Sequence, residues 1–94
     1  MARLRAFQLI GYELWINTND HAPPHFHLTD HAETFELRIH FLEVLPGHLS
    51  ASVVFPKAAR SSSCLRGAKR AELIELVLQH REELLAEWTK FHPS

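Results

Sequence analysis

This chain is short of several things, and each shortage narrows the field. A single cysteine, Cys64, stands among 94 residues. That excludes a disulfide scaffold and fits a reducing, cytoplasmic compartment. No apolar run approaches the roughly 18 residues of a transmembrane span. Arg3 and Arg5 precede apolar residues, as in a signal peptide. Gln8, Tyr12 and Glu13 interrupt that run and no small-residue cleavage site follows, so the stretch reads as a first strand. Net charge is scarce too, at −1. This argues against a strong non-specific grip on nucleic acid or membrane. No internal repeat is visible.

What remains is an ordinary globular composition, 46% apolar and 22% charged. Such a chain is too apolar to stay disordered, and its length suits one domain with a small core. Histidine is the abundant residue. There are eight, six of them between His21 and His48. Protonating all eight would carry the formal charge from −1 to +7, so solution behaviour should change near pH 6.

The pattern along the chain predicts strands over about 6–55, a linker over about 56–66 and one helix over about 67–91. Phe7 to Asn17 is rich in strand formers, with Gly11 marking a bulge or a close approach. Asn17-Thr18-Asn19-Asp20 is turn chemistry, and Pro23-Pro24 stiffens the loop that follows. His25 to Thr29 forms a short strand, and Asp30 to Glu33 can turn. Thr34 to Phe41 alternates: Phe35, Leu37, Ile39 and Phe41 share one face, Thr34, Glu36, Arg38 and His40 the other. Pro46-Gly47 turns again, and Ser50 to Phe55 forms a further strand. In the helix, Leu73, Val77, His80, Leu84, Trp88 and Phe91 fall within about 80° of one another. The expected class is α+β: a small antiparallel sheet of 3–5 strands with one long C-terminal helix packed on one face.

Three features bear chemistry. His25 and His27 are two residues apart, so on a strand they share a face with Cα atoms roughly 6.5 Å apart. With His21 held nearby by the prolines and Asp20 adjacent, the set suits a divalent transition metal: Zn, Ni, Fe or Mn. The same histidines could instead hydrogen-bond backbone and pin the loop. His80 lies in the apolar stripe, either as a satisfied core histidine or as a support reaching the His25/His27 face. Lys57, Arg60, Arg66, Lys69 and Arg70 lie in a stretch without acidic residues that runs into the helix start. They either bind an anion or phosphate there or line a solvated linker. The acidic helix downstream weakens a nucleic-acid footprint. Cys64 would have a lowered pKa in that stretch if exposed, but no base is placed beside it. A two-histidine acid–base pair is a further option for the cluster.

Asn19-Asp20-His21-Ala22-Pro23-Pro24-His25-Phe26-His27-Leu28, together with the stretch from His80 to Trp88, resembles a small bacterial family, domain of unknown function 4160. Its members carry an N-D-H-x-P-P-H-F-H-V-like segment after a first strand and end in an H-R-x-E-L-x-x-x-W-like helix. The resemblance spans about Phe7 to Phe91. It maps Asp20, His21, Pro23, Pro24, His25, Phe26, His27, His80, Arg81, Leu84 and Trp88 onto signature positions. The stretch from His40 to Arg66 is longer here than in usual members, and Leu28 replaces a more usual Val. The family has no agreed activity. The resemblance implies loci that look like toxin–antitoxin pairs, and hence a small partner protein.

The leading expectation is therefore a cytoplasmic binding module of a toxin–antitoxin-like pair, built around a histidine loop that holds a divalent metal. His21, His25 and His27 are the candidate ligands, Asp20 a ligand or orienter and His80 a support. No catalytic residue is assigned. The rival is a small metal-dependent or His–His hydrolase acting on RNA, with the Lys57–Arg70 stretch binding phosphate. The third reading is a purely structural loop beside a protein-binding surface. An open edge in so small a sheet invites a homodimer or a partner by strand addition.

Overall fold

A computed structural model describes residues 2–92 of the chain; Met1, Pro93 and Ser94 lie outside them. The strands are β1 (Ala2–Arg3), β2 (Tyr12–Ile16), β3 (Phe26–Asp30), β4 (Glu36–Ile39) and β5 (Ala51–Phe55). Three helices follow: α1 (Ser61–Cys64), α2 (Gly67–Gln79) and α3 (Arg81–Phe91). The sheet has five antiparallel strands in chain order, each paired with the next along the chain. Sheet and helices make an α+β fold, as the pattern predicts. Among the described residues no helix is long and apolar enough to cross a membrane.

The firmest alternation holds. Phe35, Leu37, Ile39 and Phe41 are all buried. Leu37 and Ile39 of β4, which is shorter than Thr34 to Phe41, make one sheet face with Leu14, Ile16, Phe26 and Leu28. Phe35 before the strand and Phe41 in a 3-10 turn after it join them, and Leu73, Ile74, Val77, Leu84 and Trp88 from the helices, in a single core. A fully buried Phe or Leu contributes about 1.5–3 kcal/mol, so this core carries the fold. Alternation sends Trp15, His27, Thr29, Glu36 and Arg38 to the opposite face. There Trp15 pairs with His27, His27 with Arg38, and Thr29 with Glu36.

Three expectations need correction. The first strand is shorter than Phe7 to Asn17. Leu4, Phe7 and Leu9 are buried by a non-strand segment, and the chain turns just before β2 through a Tyr12 N–H to Leu9 carbonyl bond. Gly11, at φ 95°, belongs to that turn and is not a bulge within a strand. The linker holds α1 and ends on a fully buried Leu65. The single long helix is two. His80 (φ −112°, ψ 20°) leaves the helical region between them. The chain redirects there so that Leu84 and Trp88 meet the core while the Arg81 guanidinium donates to the Val44 carbonyl.

Candidate metal centre

The turn after β2 and the start of β3 build the site. The Asp20 N–H donates to the Asn17 carbonyl, closing the turn, and the chain continues through a cis Ala22–Pro23 peptide into β3. This delivers Asp20 above His25 and His27. One ligand atom from each of the three lies within 4.8 Å of the others. The outer face of a sheet is normally wet, yet His25 and His27 are only 6% and 3% exposed. Trp15 lies over His27 and Trp88 packs on His25.

Hydrogen bonds set the tautomers. His25 Nδ1 is 2.9 Å from the Pro23 carbonyl oxygen. A carbonyl can only accept, so Nδ1 carries the proton and Nε2 of the neutral ring a lone pair. His27 Nδ1 is 3.0 Å from Glu36 Oε2, and a carboxylate makes the same demand. The Asn17 amide nitrogen also lies 3.2 Å from His27 Nε2, but the Asp20 carboxylate is closer, at 2.6 Å, and can only accept, so that contact is a hydrogen bond donated by His27 Nε2–H. Both Nε2 atoms then converge on Asp20 Oδ2, at 2.6 Å from His27 and 3.1 Å from His25. The His25 contact is off the line of a hydrogen bond, so its buried Nε2 has no partner. Burial pushes the Asp20 carboxyl up, but the His27 hydrogen bond and the nearby His27 and His25 rings outweigh it and hold it below the usual carboxylate range.

A proton on His27 Nε2 bridges to Asp20 here, and a divalent cation in its place would find one donor atom from each of the three residues. Two imidazole nitrogens and a carboxylate are a ligand set for a divalent transition metal. The Glu36–His27 and Pro23–His25 bonds are the outer contacts that orient metal-bound histidines. The group can therefore hold a metal ion, and the residues fit one.

The other candidate residues lie elsewhere. His21 is exposed and outside the three-residue group. His80 is half-buried at the helix break, paired through Nδ1 with Glu83, its ring 5.7 Å from Phe7. Lys57, Arg60 and Arg66 are exposed, Lys69 pairs with Glu72 at 3.5 Å, and Arg70 is half-buried. The expectation of a low-pKa Cys64 is corrected. The thiol is half-buried, and burial, with Asp30 adding to it, pushes its pKa up, so it is a poor nucleophile.

Sequence reasoning missed Asn17, Glu36, His40 and Trp15 as parts of this site. His40 stands opposite His25 across β3 and β4, one step beyond the Phe26–Ile39 pair, with ring centres 5.9 Å apart. Burial, with His25 and Arg38 adding to it, lowers its pKa against the pull of Glu43. The signal for Glu36 and His40 was present. Folding a hairpin about the Asp30–Glu33 turn carries the polar face of β4 toward the histidine face of β3.

The family model for a domain of unknown function, DUF4160, matches residues 11–89, nearly the whole chain. The chain belongs to the DUF4160 family. No curated protein and no solved structure matches it significantly. The DUF4160 match takes in Asp20, His25 and His27 and the break at His80.

Proposed function

We propose that this DUF4160 protein is a metal-holding binding module: Asp20, His25 and His27 take a divalent transition ion (Zn, Ni, Fe or Mn), which fixes the loop from Asn17 to His25. The observation that carries the reading is the convergence of both Nε2 atoms on Asp20 Oδ2, one of them unpartnered, with each ring's Nδ1–H held from behind. The module then acts by binding a small protein partner or a second copy, in keeping with the toxin–antitoxin-like loci the family resemblance implies. Strand β5 supports a partner by strand addition. It is the last strand of the sheet, and Ala51-Ser52-Val53-Val54-Phe55 carries no charge to deter pairing.

The second reading is a small hydrolase. Three protein ligands would leave a coordination position for water, as catalytic zinc sites do. The basic stretch does not strengthen it: Lys69 pairs with Glu72, and none of its residues belongs to the three-residue group.

Elemental analysis of tag-free protein, before and after a chelator wash, tests the metal. Near-stoichiometric metal is expected in the wild type and none in the His25→Ala/His27→Ala variant with its far-UV circular dichroism retained. A metal-free wild type together with an unfolded variant would leave the loop a structural clamp. Expressing the chain alone separates module from hydrolase: the module is tolerated, whereas a hydrolytic toxin stops growth and the double variant relieves it.

A further inference from the structure

We infer that His40 is the fourth ligand of this centre, coordinating through Nδ1 and closing the site to a four-coordinate ion; the inference rests on the metal reading above. The argument begins with unpartnered atoms. Buried polar nitrogens are nearly always hydrogen-bonded. Here two adjacent imidazole rings each keep one buried nitrogen without a partner, His25 Nε2 and His40 Nδ1. Among the described residues neither nitrogen has a hydrogen-bond partner, and one cation would satisfy both.

The tautomer of His40 allows it. Its Nε2 lies 3.2 Å from Ser52 Oγ, so Nε2–H can donate to the hydroxyl and leave the Nδ1 lone pair free. The spacing agrees. Two imidazoles on one tetrahedral ion, with metal–nitrogen bonds of about 2.0–2.1 Å, place their ring centres roughly 5 Å apart. His25 and His27 stand at 5.2 Å and His25 and His40 at 5.9 Å. The nitrogens of His40 lie outside the 4.8 Å group, so ligation requires its ring to turn in toward His25. Asp20, His25, His27 and His40 then make a one-carboxylate, three-imidazole set with no position left for water. Structural zinc sites are closed in this way and catalytic ones are not. The inference thus favours the binding module over the hydrolase.

NMR of uniformly 15N-labelled wild-type protein loaded with 113Cd2+ tests this atom by atom, with no dependence on the folding of a variant. Three one-bond couplings between cadmium and imidazole nitrogen are expected: Nε2 of His25, Nε2 of His27 and Nδ1 of His40. Couplings to His25 and His27 alone would overturn the fourth ligand and leave the three-ligand site standing. Absence of any coupling, with no cadmium bound, would overturn the metal reading and this inference with it. As a second readout, His40→Gln should weaken Co2+ binding at least tenfold and replace the intense visible bands of a four-coordinate ion with weak ones. An unchanged affinity and spectrum would count against His40.

Discussion

Trp15 lies flat against His27, ring centres 5.2 Å apart and planes 13° from parallel. The other tryptophan of the chain, Trp88, packs on His25 at 5.3 Å. Each indole therefore touches one of the two histidines that face Asp20, one from the sheet and one from the last helix.

That arrangement makes intrinsic fluorescence a direct report on the site. Ni2+ is an open-shell ion, and bound between these rings it should quench both tryptophans. The expected titration saturates near one equivalent in the wild type and is flat in the His25→Ala/His27→Ala variant. Equal quenching of both proteins would place the ion elsewhere on the surface.

Glu36 offers a gentler perturbation. Its carboxylate accepts the His27 Nδ1 proton at 3.0 Å without belonging to the ligand group. Glu36→Gln keeps the shape and weakens the acceptor. Loss of such an orienting partner typically lowers metal affinity about 10–100-fold. Competition against a chelator should show that drop, while thermal unfolding of the metal-free protein stays close to wild type. An unaltered affinity would remove Glu36 from the site.

Acid should act on a further carboxylate, away from Asp20, His25 and His27. Asp30 closes the turn after β3: its Oδ1 accepts the Thr34 N–H at 2.7 Å, and Oδ2 accepts the Thr34 hydroxyl. Burial opposes ionisation, but these Thr34 bonds win and hold the carboxyl below its ordinary 3.8. A carboxyl whose folded pKa is depressed adds stability that is complete above the ordinary value and lost as pH falls through the folded one. Asp30→Asn should therefore be less stable near neutrality and lose less on acidification. Urea unfolding between about pH 7 and pH 3 measures both slopes. Parallel slopes for the two proteins would show that Asp30 gains nothing from Thr34.

Much of this could be read before folding. The alternation from Phe35 to Phe41 announced a half-buried strand, because a pleated backbone sends neighbouring side chains to opposite faces. The H-x-H spacing placed His25 and His27 together for the same reason, and Asp20 was named beside them. His21, one residue from Asp20, shows where such reasoning stops. Adjacency in a turn does not set direction, and its side chain points away into solvent. The helix break at His80 was hidden as well. A continuous apolar stripe is compatible with one helix or two, and packing against the core decides between them.

The α+β class, the polar and apolar faces of the central strands and the residue types able to bind a metal were legible in the sequence, because these follow from local periodicity, turn chemistry and composition. Only the tertiary structure decided which of those residues meet. It set Glu36 behind His27 and His40 across from His25, through the register of β3 on β4, and brought Trp88 onto His25 from the far end of the chain. Contacts between distant segments depend on how strands pair and helices pack. That is a property of the whole fold and not of any one stretch of residues.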